Sequence, residues 1–120
     1  MTAELEGRVV LELIPELLKR TADFRLLRPG VEIATLYEDP AGASAALLRY
    51  APGAEVPRHR HPGYEHIFVL EGEQSDDRGV YRAGTFAVNR PGTEHRVWSS
   101  TGCLALLIWQ LPVVFLASVS

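Results

Sequence analysis

From Val31 onward the chain is a series of short, mostly apolar runs, cut apart by clusters of glycine, proline and aspartate. The cuts fall at Asp39-Pro40-Ala41-Gly42, Ala51-Pro52-Gly53, Pro62-Gly63, Asp76-Asp77-Arg78-Gly79, Arg90-Pro91-Gly92 and Thr101-Gly102. Between breaks this close a helix has no room, whereas strands joined by turns fit. The pattern predicts strands at Val31–Tyr37, Ser44–Tyr50, Glu55–His59, Glu65–Glu71, Gly79–Arg82, Thr85–Asn89, His95–Ser99 and Leu104–Trp109. About eight short strands must close on themselves or pair as two sheets, because open edges aggregate. An all-β barrel or jelly roll is the expectation, with 120 residues making one domain, 1–120, and a barrel core over about 31–110.

Residues 9–20 are the one candidate helix, with Leu13, Leu17 and Leu18 at helical spacing and Pro15 suited to a first turn; Val9 to Leu13 fits a short extra strand equally well. A net charge of −3 removes the usual electrostatic drive for nucleic-acid binding. One cysteine excludes an internal disulfide, a Cys-rich zinc site and an iron–sulfur cluster. The apolar runs Cys103 to Trp109 and Leu111 to Ala117, the latter holding Pro112, fall short of the roughly 20 residues a spanning helix needs. Glu4 and Glu6 stand where a signal peptide carries positive charge. These features predict a cytoplasmic protein without membrane contact, ending in a tail, Ala117 to Ser120.

Along Glu65–Glu71, Glu65, Ile67 and Val69 alternate with His66, Phe68 and Leu70. Both faces are largely apolar and need cover, one from the barrel interior and the other from the N-terminal helix or a second subunit. With the apolar run Leu111–Leu116, this predicts a homodimer.

His59 and His61, two apart, project to one face of an extended strand. Glu65 follows the Pro62-Gly63 turn, and His95 opens a later strand. If the barrel sets those strands together, three imidazoles and a carboxylate meet inside it. That donor set suits divalent iron, manganese, nickel, copper or zinc, and leaves positions open on a six-coordinate ion.

Gly53, His59, His61, Glu65 and Gly72 match the first signature of the cupin superfamily (RmlC-like proteins) at every spacing. Gly84, Pro91-Gly92 and His95 resemble the second; Arg90 replaces the expected proline and Ser99 the expected asparagine, neither of them a ligand position. The run from His59 to Gly72, then Asp77-x-Gly79-x-Tyr81-x-x-Gly84, Arg90 to His95, and Ser99 to Cys103 resembles the ChrR-type cupin domains, known first from the C-terminal half of an anti-sigma factor. The resemblance implies a double-stranded β-helix holding one divalent metal on His59, His61, Glu65 and His95. It does not bring the anti-sigma activity, which belongs to a separate helical module with its own zinc ligands. The thirty residues before Val31 contain no His or Cys, so a stand-alone relative is expected.

Of the remaining residues, Cys103 reads as a buried small hydrophobe, His66 as pointing away from the metal, and Arg58 and Arg60 as facing outward. Glu94 reads as a solvated charge rather than an imidazole partner, and Trp98 and Trp109 as core or interface. Ile67, Val69, Phe86, Val88 and Val97 are expected to line an apolar pocket for a small ligand. Three functions fit: a metalloenzyme, with the diketone- and flavonol-cleaving cupin dioxygenases or a Lewis-acid isomerase or lyase as patterns; a sensor with a structural metal; and a non-catalytic metal-binding domain. No general base stands out beyond the ligands, so catalytic residues are not assigned.

Overall fold

The computed structural model describes residues 3–5 and 7–116; the expected tail, Ala117 to Ser120, lies outside them. In chain order come β1 (Ala3–Leu5), β2 (Arg8–Val10), α1 (Pro15–Thr21), β3 (Arg25–Arg28), β4 (Val31–Glu38), β5 (Ser44–Tyr50) and β6 (Glu55–Arg60). Then follow β7 (Glu65–Asp76), β8 (Gly79–Arg82), β9 (Phe86–Asn89), β10 (Glu94–Trp98), β11 (Cys103–Trp109) and β12 (Val114–Phe115). No helix among the described residues is long and apolar enough to cross a membrane.

All eight expected strands are present. The N-terminal segment resolves into both alternatives, a strand at Arg8–Val10 and a helix that begins at Pro15 and is shorter than the spacing suggests. Leu13 precedes that helix and is exposed, so only Leu17 and Leu18 of the leucine pattern are helical. Three elements were not expected: β1, which pairs with β2, β3, which makes a hairpin with β4 across Pro29-Gly30, and β12.

β1 and β2 form a separate hairpin. The other strands make one curled antiparallel sheet in the order β12-β6-β10-β7-β11-β5-β4-β3, with β8 and β9 both pairing with β7. Its outermost strands approach each other: the Arg28 guanidinium of β3 lies 5.0 Å from the Phe115 ring of β12. Inside the curl, Val31, Leu48, Val56, Ile67, Val97 and Leu107 form the main core. Outside it, α1 lays Leu18, fully buried, on Ala34, Leu36, Ala45, Leu47 and Leu104. Burial of one such leucine stabilises by roughly 1.5–3 kcal/mol, so this short helix is held by packing rather than propensity. It covers part of the outer face; Phe68, Phe86 and Val88 remain exposed on the β7–β9 part.

β7 runs beyond its expected end at Glu71 to Asp76 and takes part in both halves of the curl. Residues Glu65 to Phe68 pair with β9, and Glu73 to Asp76 pair with β8. A bulge at Leu70, opposite the Leu104/Ala105 step, increases the local twist. Gly72 follows at φ +74, where an added Cβ would lie 2.0 Å from the Gly102 carbonyl oxygen. Only glycine permits the bend and the close approach together.

Candidate metal centre

β6 and β10 are antiparallel neighbours with His59 opposite His95, so these imidazoles share the inner face. His61 lies one residue past β6, where its N–H donates to the Thr93 carbonyl and its carbonyl accepts from Gly92. Glu65 opens β7. The three imidazole centroids lie 4.8–5.0 Å apart, and His59, His61, Glu65 and His95 each offer a ligand atom within 4.8 Å of the others. All four residues are buried.

The tautomers follow from the outward hydrogen bonds. His59 Nδ1 is 2.8 Å from the Pro57 carbonyl oxygen, and His95 Nδ1 is 3.0 Å from Asp76 Oδ2. His61 Nδ1 is 3.1 Å from the Thr93 carbonyl oxygen and from Thr93 Oγ1, whose own proton goes to the Arg90 carbonyl at 2.6 Å. Each partner can only accept, so every Nδ1 carries the donated proton and every Nε2 turns a lone pair inward. The Nε2 atoms of His61 and His95 are buried without a hydrogen-bond partner. Nε2 of His61 is 3.1 Å from Glu65 Oε1, but in this tautomer both are acceptors. Unpaired buried acceptors beside a carboxylate are costly alone. A cation among them satisfies all four, so the donor set fits a divalent transition metal.

The Glu65 carboxylate is oriented by Asn89 Nδ2, donating to Oε1 at 2.9 Å, and by Trp109 Nε1, donating to Oε2. Burial pushes the Glu65 carboxyl upward and the Asn89 amide pulls it down; a positive charge placed among the imidazoles, whether a proton on His61 or a bound cation, holds it below its usual range. Burial holds His59 below the ordinary histidine value, which keeps it neutral and able to ligate. Asp76 accepts, besides His95 Nδ1, the Tyr81 hydroxyl and the Arg78 N–H, both at 2.8 Å on Oδ1.

A cavity of about 200 Å³ opens on His59, Glu65 and His95. Its walls include Leu48, Val56, Ile67, Val97 and Leu107; of the expected lining Ile67 and Val97 are among them, whereas Val69 is packed in the core. Phe86 and Val88 are not part of it: they are 59% and 45% exposed. They pair across the strands with Phe68 and His66 and share their outer face, so the inward residues of β9 are Ala87 and Asn89. His66 lies on that outer face, stacked parallel between Tyr64 and Phe86. Cys103 is buried, its thiol pushed up to about 12 chiefly by burial. Arg58 pairs with Asp77 and Glu94, which leaves Glu94 on the surface and away from the imidazoles.

Sequence reasoning did not find Asp76, Asn89, Thr93, Gln74 or Arg28, and it gave Trp109 only a packing role. Asn89, two residues past Ala87 on a strand opposite Glu65, carried a signal in the register alone.

A curled antiparallel barrel with three histidines and a glutamate gathered inside it defines a cupin. The model of the ChrR cupin-like domain family matches residues 18–112, and the chain belongs to that family. It is 31% identical over 67 residues to a putative dimethylsulfoniopropionate lyase, DddL, of Cereibacter sphaeroides, a match covering 52% of this chain and 29% of that protein. It resembles the structure of Rhodobacter sphaeroides SigE in complex with the anti-sigma ChrR, with 28% identity, a TM-score of 0.69 and coverage of 79% of this chain and 55% of that one. It also shares its fold with a putative acetylacetone dioxygenase of Methylibium petroleiphilum, at 15% identity, a TM-score of 0.76 and coverage of 94% and 85%. The chain thus spans under a third of the lyase and about half of the anti-sigma chain.

Proposed function

We propose that this chain is a metal-dependent enzyme, holding one divalent transition metal on His59, His61, Glu65 and His95 and acting on a small chelating substrate, in the manner of a dioxygenase. The observation that carries the reading is the pair of orphaned buried Nε2 atoms facing Glu65, at the end of a largely apolar cavity. Iron or manganese there would supply a Lewis-acidic and redox-active centre to a substrate bound through two oxygens. The chain's own residues do the rest. Asp76 and Thr93 fix the ring orientations of His95 and His61, Asn89 and Trp109 fix Glu65, and the apolar walls exclude bulk water. Family membership alongside an anti-sigma protein, and a cavity with no free carboxylate or imidazole besides Glu65, His59 and His95, favour a second reading, a metal-holding sensor. On either reading residues 1–120 act as one cytoplasmic cupin domain, paired as a homodimer and binding neither nucleic acid nor membrane.

Metal analysis of the protein as purified tests this, followed by oxygen uptake with diketones. One equivalent of iron or manganese with uptake is the expected result; zinc without turnover supports the sensor. His59→Ala, His61→Ala and His95→Ala should each empty the site, and Glu65→Gln should weaken it less. His66→Ala should leave it near one equivalent. A full site in His95→Ala, or an empty one in His66→Ala, overturns the ligand set.

A further inference from the structure

The cavity beside the metal centre carries two donors without a well-formed hydrogen bond among the described residues, the Gln74 amide lying near the Tyr50 hydroxyl. Nε of Arg28 is buried without an acceptor, and so is Nε2 of Gln74, whose side chain is almost wholly buried. Both residues line the cavity. Arg28 stands at the seam where the outermost strands meet, its guanidinium over the Phe115 ring, which in turn lies 5.7 Å from the His59 ring. Contact with an aromatic face attracts the cation but takes none of its N–H bonds. The one acidic residue lining the same cavity is Glu65, already held by Asn89 and Trp109. A second cation and an amide donor therefore line a mostly apolar cavity of about 200 Å³.

We propose that the cavity selects a small carboxylate, chelated at the metal end and held by Arg28, with Gln74 as a second donor. This rests on the metal reading above and adds the substrate class to it. The ligand must present acceptor oxygens to the wall as well as to the centre, because an unpaired buried guanidinium N–H penalises any ligand that offers only carbon there. Arg28 holds substrate and takes no proton.

Malonate and acetylacetone separate these demands. Both close a six-membered chelate ring through two oxygens; malonate turns its remaining oxygens outward, whereas acetylacetone turns methyl groups. Calorimetric titration of each into the protein as purified, with metal content measured on the same samples, is the test. Wild-type protein should bind malonate more tightly. Arg28→Met should weaken malonate roughly 10- to 100-fold, leave metal content unchanged, and leave acetylacetone binding as tight as in the wild type or tighter. Arg28→Lys, which keeps the charge and the stem, should recover part of the loss. Gln74→Leu should weaken malonate less than Arg28→Met does. If Arg28→Met leaves malonate binding intact, or weakens both ligands equally, Arg28 only packs the seam and the proposal falls. If wild-type protein holds no metal, the reading of the centre fails separately. Malonate binding that still depends on Arg28 then upholds the carboxylate pocket, and no malonate binding overturns it.

Discussion

Asp76→Asn changes one oxygen to an amide nitrogen and leaves the shape of the side chain intact. Oδ2 of Asp76 accepts the His95 Nδ1 proton at 3.0 Å, and Oδ1 accepts from Arg78 N and the Tyr81 hydroxyl. Asparagine keeps one acceptor. If its nitrogen faces His95, two donors meet, and relief comes from moving the imidazole proton to Nε2, the atom that faces Glu65 and the other rings. If the amide turns over, the conflict falls on the Arg78 N–H, because the Tyr81 hydroxyl can rotate to accept. Loss of a partner behind a ligating histidine typically costs 10- to 100-fold in metal affinity, which is about 1.4–2.7 kcal/mol. At fixed free metal the stabilisation of the folded state falls by the same amount, so Tm should drop by roughly 5–10 °C at about 4 °C per kcal/mol. The assay is a competition titration against a chelator, with the thermal scan run on the same sample. Glu94→Gln is the control, since among the described residues Glu94 pairs with exposed Arg58 alone and should shift stability by less than about 0.5 kcal/mol. Wild-type metal affinity in Asp76→Asn would refute the reasoning. In metal-free protein, burial pushes the Asp76 carboxyl up, but the bonds from Arg78, His95 and Tyr81 outweigh it and leave it below its usual value. Its stabilisation is therefore complete above about pH 4 and lost as pH falls through the lower folded-state value. Asp76→Asn should flatten that acid limb.

Gly72→Ala combines a left-handed φ with a Cβ 2.0 Å from the Gly102 oxygen; urea denaturation should show a loss above about 3 kcal/mol, and a smaller loss means the backbone there moves freely. Cys103, its thiol pushed up to about 12, should resist iodoacetamide at pH 8 in the native protein and react in urea; rapid native labelling contradicts its burial. Light scattering should give about twice the 13.3 kDa chain mass at micromolar concentration; a single-chain mass rules out the dimer. Calorimetry should show one cooperative transition, and two would divide the proposed single domain.

The four residues gathered inside the barrel were legible because each sits at a fixed distance from a turn. His59 closes one strand with His61 just past it, Glu65 begins the next, and His95 follows Pro91-Gly92; spacing put His59 and His61 on one face, and the resemblance to cupins implied that the four meet. Their supports were not legible, because support comes from pairing between distant segments. Trp109 reaches Glu65 through the β11–β7 register, and Asp76 reaches His95 only because β7 continues past Gly72. The faces of Phe86 and Val88 were misread for a related reason. A four-residue apolar strand gives no parity of its own, and the face is set by its partner β7. Arg28, beside Pro29-Gly30, reads as a turn until β3 is known to return along β4.

The length of β7 also has a kinetic consequence. Twelve residues of extended chain span about 40 Å at ~3.3 Å per residue, yet Glu65 at one end and Asp76 at the other serve the same cluster of rings. The cluster exists only after the strand has coiled round the barrel and acquired neighbours far away in sequence. Such contacts close late and slowly. An ion held there would meet a barrel already closed, so on this geometry metal loading should follow folding rather than nucleate it.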